Sequence, residues 1–510
     1  MTKPPRTTRW FGSYGLPGAL GTTFITLGSF GVGWFPLAFK PLRWPFLEYL
    51  QTQTLGLALS RSLVVVGAAL LLQAWLIVGV DTLHDKKLNE REMFSILMTW
   101  IAPLMFAAPL FSRDVYSYFM QGHMQLQGHN PYLTGVSVVP GWFSSGVDPM
   151  WAESKTPYGP AFLLIERIVA FFCGQSAFLS AFVFRTIGAL SVLLLAKSVA
   201  GLARRHGIDP ASAMWLGVLN PLVLMHFIAG SHNDSLMIAL IAAAFVLAID
   251  QKVFAAVILT TMAIAVKPVA IVVLPFIAIQ ATKQATRKAR FTSFFVVALI
   301  ATIGMVTLSL IAHVGPLGWI SALSTPGTVR SWLSPATALG ITAGTLFSHI
   351  GLGDHVASTI SLFRILGFIA LLASLVALVL RPQGRSATRG AAYALGAVIV
   401  FSPAVQPWYL LWTIPLLAAT GLKSHHLRWI VVSICAFTVH GIANASATAD
   451  TFLEFSDGLA MILAAFTLGI AIFASKRQRV LIMGDSEAKP LLPATIPDHV
   501  IASEQLVSTN

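Results

Sequence analysis

Residues Phe111 to Tyr132 read FSRDVYSYFMQGHMQLQGHNPY, and the rest of the chain is interpreted outward from this stretch. An apolar segment long enough to span a bilayer, Met93 to Phe111, runs into it, and Arg113 and Asp114 then arrive together, with Tyr116 and Tyr118 close behind. A carboxylate at the lip of a hydrophobic segment is costly unless it faces a polar cavity or a partner, so it marks a candidate functional site. Arg113 and Asp114 as an ordinary interfacial ion pair are the plainer alternative.

Composition sets the frame. Only 10% of the 510 residues are charged and 56% are hydrophobic, far from the roughly 25% charged residues of a soluble domain. An integral membrane protein is implied. The net charge of +13 does not point to nucleic acid, because most of the 33 lysines and arginines fall in short clusters between apolar runs: Lys86/Lys87/Arg91, Arg204/Arg205, Arg381/Arg385/Arg389 and others like them. That recurrence is the positive-inside pattern of a multi-pass protein. The two cysteines, Cys173 and Cys435, lie among apolar residues and suggest neither a disulfide nor a metal site.

A crossing helix needs about 20 apolar residues. Segments of roughly that kind recur from Leu16–Phe39 to Phe455–Ala474, and about 13–14 transmembrane helices are expected. A basic, cytoplasmic N-terminus puts Asp114 outside, at the start of a long extracytoplasmic loop over residues 112–178. Within that loop Ala161–Phe172, carrying Glu166 and Arg167, reads as interfacial or re-entrant. Residues 1–475 form the membrane domain, and 476–510 read as a disordered cytoplasmic tail.

The costly polar residues then collect on one face. Lys267 sits at a helix break before Pro268, suited either to an anion or to snorkelling. His232, Asn233 and Asp234 offer hydrogen bonds of the kind sugar hydroxyls need, or Asn233 or Asp234 simply caps a helix. Arg330 presents a planar fork to a phosphate or anchors a loop at the headgroups. Tyr158 belongs to the same outer layer, and Trp408, in SPAVQPWYLLW, serves sugar stacking or an interfacial belt. A channel or pump would string such groups through the bilayer rather than gather them on one side.

RDVYSY at Arg113–Tyr118, GHNPY at Gly128–Tyr132, KTPYGP at Lys155–Pro160, GSHND at Gly230–Asp234 and VKP at Val266–Pro268 together resemble the actinobacterial polyprenol-phosphate-mannose-dependent α-(1→6)-mannopyranosyltransferases of lipomannan and lipoarabinomannan biosynthesis. The resemblance runs from about Arg9 to Arg479 and implies an all-α polytopic membrane protein of the GT-C glycosyltransferase class. It implies mannose transfer from polyprenyl-phosphate-mannose to a lipid-linked mannan acceptor in the plasma membrane, with neither cofactor nor metal and no nucleic acid partner. Asp114 takes the place of the family's catalytic base. Lys267, Arg330 and Arg113 are assigned to the donor phosphate, and His232, Asn233, Asp234, Tyr116, Tyr158 and Trp408 to the acceptor and sugars. Many GT-C enzymes carry two neighbouring acids after the first span. Here the acid follows the third span and has an arginine beside it, so Asp148, Glu153 or Asp234 could share the role. A flippase of polyprenyl-linked sugars, an arabinofuranosyltransferase and a protein O-mannosyltransferase are the alternatives.

Overall fold

The computed structural model describes residues 11–37, 39–83, 88–282, 286–381, 383–443, 467–473 and the positions Ser475, Gln478, Arg479 and Leu481. The expected tail therefore falls almost wholly outside the described residues, as does most of the expected last span, 455–474. The chain is an all-α polytopic membrane protein, and no strand occurs among the described residues.

The principal helices are α1 (Leu16–Val32), α2 (Thr54–Leu83), α3 (Glu90–Leu104), α4 (Asp114–Leu126), α5 (Pro160–Cys173), α6 (Ala177–Arg205), α7 (Pro210–Gly217), α8 (Asp234–Ile249), α9 (Val253–Val266), α10 (Leu274–Ala281), α11 (Arg287–Ile311), α12 (Pro335–His349), α13 (Val356–Leu380), α14 (Ala387–Phe401), α15 (Ile414–Thr420) and α16 (Ser424–Ala443). Four of them, α2, α6, α11 and α13, are long and apolar enough to cross a membrane unaided. A fifth span forms if the π-helical turn Val223–Ala229 is joined to α8 across a 113° bend. Among the described residues the other apolar runs counted toward the expected 13–14 transmembrane helices form shorter or interrupted helices. Prolines and polar breaks divide several apolar runs, as Pro103 does near the end of α3 and Pro268 does between α9 and α10.

Small residues bring α1 and α2 together. A Cβ on Gly21 would lie 2.7 Å from the Gly67 carbonyl oxygen, so only glycine permits this approach. α2 is fastened to α7 by two tryptophans whose rings stack at 5.1 Å. Each indole donates to the other's carbonyl, Trp75 Nε1 to Trp215 O at 3.0 Å and Trp215 Nε1 to Trp75 O at 2.8 Å. A buried indole N–H needs a partner, and this exchange supplies both.

The stretch read as a long outer loop is largely helical. α4 begins at Asp114 itself and packs on α5 where Gly122 lets the helix meet the Glu166 backbone. GHNPY and KTPYGP join these helices to the break after α9. Tyr132 donates its hydroxyl to Tyr158 O at 2.9 Å, Thr156 Oγ1 donates to Gln121 Oε1 at 2.8 Å, and Gly159 N donates to Val266 O at 3.0 Å. These motifs assemble the floor on which Asp114 stands.

Candidate active site

Two irregular segments frame Asp114. One is residues 105–113, between α3 and α4, and the other is the turn 230–233, before α8. Phe111 (φ 70°) and Ser231 (φ 55°) each take the left-handed conformation that non-glycine residues avoid. Such strain persists where the surroundings over-determine it, as they commonly do at functional sites.

Arg185, buried in the middle of this region, is the main restraint. Its guanidinium donates to Ala107 O (2.5 Å), Ile228 O (3.2 Å), Met105 O (3.3 Å) and Ala229 O (3.3 Å), so one side chain on α6 ties the first segment to the end of the π-helical turn that leads into the second. Irregular backbone at membrane depth requires this kind of internal satisfaction. The sequence reading passed over Arg185, although a lone arginine inside an apolar span is itself a signal.

Asp114 opens α4, its backbone N–H bonded to Ser112 Oγ at 3.0 Å. Its side chain is 16% exposed, and Oδ2 lies 3.4 Å from His232 Nδ1. Burial pushes the carboxyl towards its neutral form. The His232 contact, the charge of Lys267 and the Ser112 hydroxyl outweigh this and hold it below the ordinary carboxylate value. Arg113 is not the group that keeps Asp114 ionised. Its guanidinium donates to Gly146 O and Val147 O, both at 2.8 Å, and lies 4.1 Å above the Trp34 ring. The adjacent pair is therefore not an ion pair, because the two side chains leave the turn towards different partners.

Asp234 and Lys267 form a second, drier unit. Lys267 Nζ reaches Asp234 Oδ1 at 2.7 Å, and the same oxygen accepts from Trp412 Nε1 at 2.5 Å. Asp234 is only 1% exposed. Lys267 also lies over the rings of Tyr409 and Trp412, at 5.1 and 5.2 Å. Asn233 makes no side-chain cap on α8, so helix capping does not account for the HND run.

Beside Asp114 stands a wall of buried polar groups. The His232 and Trp408 rings stack at 3.7 Å, and His226 lies 5.2 Å from Trp408 and 5.9 Å from His232. His226 Nδ1 and Nε2, His232 Nε2, Asn233 Nδ2 and Oδ1, and Trp408 Nε1 carry no hydrogen-bond partner among the described residues. Orphan donors and acceptors at this density are costly unless something fills them.

Residues 15–283, which hold Asp114, His232, Asp234 and Lys267, match the family model described as α-(1→6)-mannopyranosyltransferase, N-terminal domain. The chain belongs to this family. Residues 336–475 match a second model, the MptB C-terminal domain. A probable α-(1→6)-mannopyranosyltransferase of Mycolicibacterium smegmatis is 31% identical over 93% of this chain and 89% of its own length. The α-(1→6)-mannopyranosyltransferase A of Mycobacterium tuberculosis is 33% identical over 79% of each chain, and its namesake from Corynebacterium glutamicum is 30% identical over 84% of this chain and 96% of its own.

Against this α-(1→6)-mannopyranosyltransferase background, the expected site residues divide into three groups. Asp114, His232, Asn233 and Trp408 gather in one cluster, with Asp234 and Lys267 paired beside it. Tyr116 and Tyr158 are buried in the framework. Tyr116 donates its hydroxyl to Trp34 O at 2.7 Å, and Tyr158 meets the Tyr118 ring edge-on at 5.2 Å. Arg330 is exposed on the loop between α11 and α12. Of the other acids, Asp148 caps the turn Pro149–Trp151 through Met150 N at 2.9 Å and is raised by burial, and Glu153 is exposed. His226 was missed by the sequence reading, since nothing in a lone histidine within an apolar run separates it from a packed one. Among the described residues no three His, Cys, Asp or Glu side chains gather as metal ligands would.

Proposed function

We propose that the chain transfers mannose from polyprenyl-phosphate-mannose to a lipid-linked mannan acceptor at the outer face of the plasma membrane, with Asp114 as the base. The observation that carries this reading is the Asp114 carboxylate, held ionised by His232 and partly open, beside a wall of unpartnered hydrogen-bonding groups. An acceptor hydroxyl attacks the anomeric carbon, the bond from that carbon to the phosphate oxygen breaks, and Asp114 takes the hydroxyl proton. The electron pair leaves with the phosphate. One displacement of this kind converts a β-linked donor into an α-(1→6) product through an oxocarbenium-like transition state, and the positioned base contributes about 10²–10⁴-fold.

His232, Asn233 and Trp408, joined by His226, supply hydrogen bonds and a ring surface for sugar hydroxyls. Lys267, whose charge acts on the base, and Arg113, its chain neighbour, are assigned to the phosphate, and Arg330 would reach it from its loop. Asp234 positions Lys267, while Tyr116 and Tyr158 hold the framework. The family's activity on related chains and the site's confinement to one end of the bundle favour an enzyme over a flippase.

The test uses the purified full-length protein, radiolabelled mannosyl phospholipid and an oligomannoside. Labelled oligomannoside is expected, with α-(1→6) linkage by exoglycosidase digestion, and it should be lost in Asp114→Asn. Movement of the donor across vesicles without transfer would replace this reading with that of a flippase.

A further inference from the structure

One cavity is lined by none of the candidate active-site residues. It holds about 710 Å³ and opens between the start of α3, the second half of α6 and α7, lined by Phe94, Leu193, Leu194 and Met214 together with Arg91 and Lys197. Lys197 follows Arg185 by twelve residues on α6, about 18 Å along the axis, so this cavity sits towards the opposite end of the bundle from the candidate active site. It is still inside a span, two turns before Arg204.

Two features make this a built site rather than a surface dent. First, Lys197 belongs to the outward stripe of α6, continuing Leu190 and Leu194, which are 62% and 38% exposed. A cation set into a lipid-facing stripe is rare without a partner. Second, the other polar groups at the rim are already engaged. Asn89 caps α3 by accepting from Glu92 N at 3.0 Å, Glu90 pairs with Arg204, and Arg205 pairs with Asp250 at 2.6 Å. Among the described residues only Arg91 and Lys197 keep unpaired charges there. An apolar groove with two free cations at its edge complements a phosphate bearing acyl chains.

We propose that this groove binds an anionic glycerophospholipid, with its phosphate between Arg91 and Lys197 and an acyl chain along Phe94, Leu194 and Met214. Basic pockets between spans recognise acidic headgroups in this manner. The plain alternative is that Lys197 snorkels to the interface and binds nothing.

Native mass spectrometry of the full-length protein in mild detergent separates the two. The protein is titrated with phosphatidylglycerol and with phosphatidylcholine of identical chains. Phosphatidylglycerol should bind preferentially, and Arg91→Gln combined with Lys197→Gln should weaken its tightest adduct about tenfold or more. Leu194→Trp, which fills the groove without altering charge, should do the same, and Lys197→Arg should retain binding. Equal binding of both lipids, full preference in the double variant, or a preference removed instead by Arg381→Gln with Arg385→Gln would overturn the proposal.

Discussion

The two halves of the chain use hydrophobic residues for different purposes. In α2 and α6 the most apolar window is 72% and 50% buried within the protein, whereas in α11 and α13 it is 22% and 6%. The first pair packs through glycines, serines and interlocked tryptophans, and the second presents leucine and isoleucine outward. Hydropathy cannot tell these cases apart, because lipid and protein interior are equally apolar solvents. The difference teaches where precision is required. Asp114, His232, Asp234 and Lys267 all belong to the first half, and the second contributes Pro407–Trp412 to the site while α14 and α15 join the core.

That segment is anchored with care. Arg364, on the largely exposed α13, donates to Gly327 O and Val329 O, both at 2.7 Å, and to Thr337 Oγ1 at 3.0 Å. Ser331 Oγ donates to Val405 O at 2.8 Å, which joins the loop carrying Arg330 to the one leading to Trp408. In the second half a polar clamp thus adds to close helix packing, which there brings Gly340 and Gly344 of α12 against α13.

Four substitutions test this division of labour, beginning with the largest effect. Asp114→Asn should reduce transfer by about 10²–10⁴-fold with donor binding retained; single-turnover kinetics beside a donor-binding assay would check it. The pH profile sharpens the point. With burial raising its pKa but His232, Lys267 and Ser112 together lowering it further, Asp114 stays ionised below the ordinary carboxylate range, so its acid limb in kcat/KM belongs on the acid side of a free carboxylate's. By linkage the ionised form adds stability above the unfolded pKa, and this is lost as pH falls through the folded one. A limb centred near neutrality would assign the base elsewhere.

Lys267→Met comes next, because it strands Asp234 as an unpaired buried carboxylate. A loss of about 3–5 kcal/mol is expected, visible as a lower unfolding temperature in detergent, and Asp234→Asn in the same chain should restore part of it. No recovery in the double variant would separate the two residues energetically.

Arg364→Gln should cost less, about 2 kcal/mol from its charged hydrogen bonds, and raise KM more than it lowers kcat, since it acts on the second half's loop alone. A kcat loss equal to that of Asp114→Asn would erase the proposed distinction between the halves. The smallest effect is expected for Trp408→Phe, which keeps the stack on His232 and deletes one unpartnered N–H. Acceptor KM should rise severalfold, of the order of one hydrogen bond, with donor KM unchanged; steady-state kinetics with both substrates varied would measure it.

Composition and the spacing of charge clusters were enough to reveal an all-α membrane protein, because hydrocarbon forbids unsatisfied backbone and the cost of charge places lysine and arginine at span ends. The motif stretches were legible too, and they do converge. Asp114, GSHND and VKP meet at one site, while GHNPY and KTPYGP brace it. Which side chain faces which was not legible. Arg113 stands next to Asp114 in the chain yet turns to Gly146 and Val147, while His232, 118 positions away, comes to 3.4 Å. Asp234 and Lys267 read as two separate ligands and prove to be one pair. His226 left no pattern in the sequence, and Arg185 stood out only as a lone charge in an apolar span, since their roles rest on carbonyls and rings brought together by helix breaks. A side chain's partner is set by rotamer and backbone direction across distant segments, and these exist only once the helices have packed.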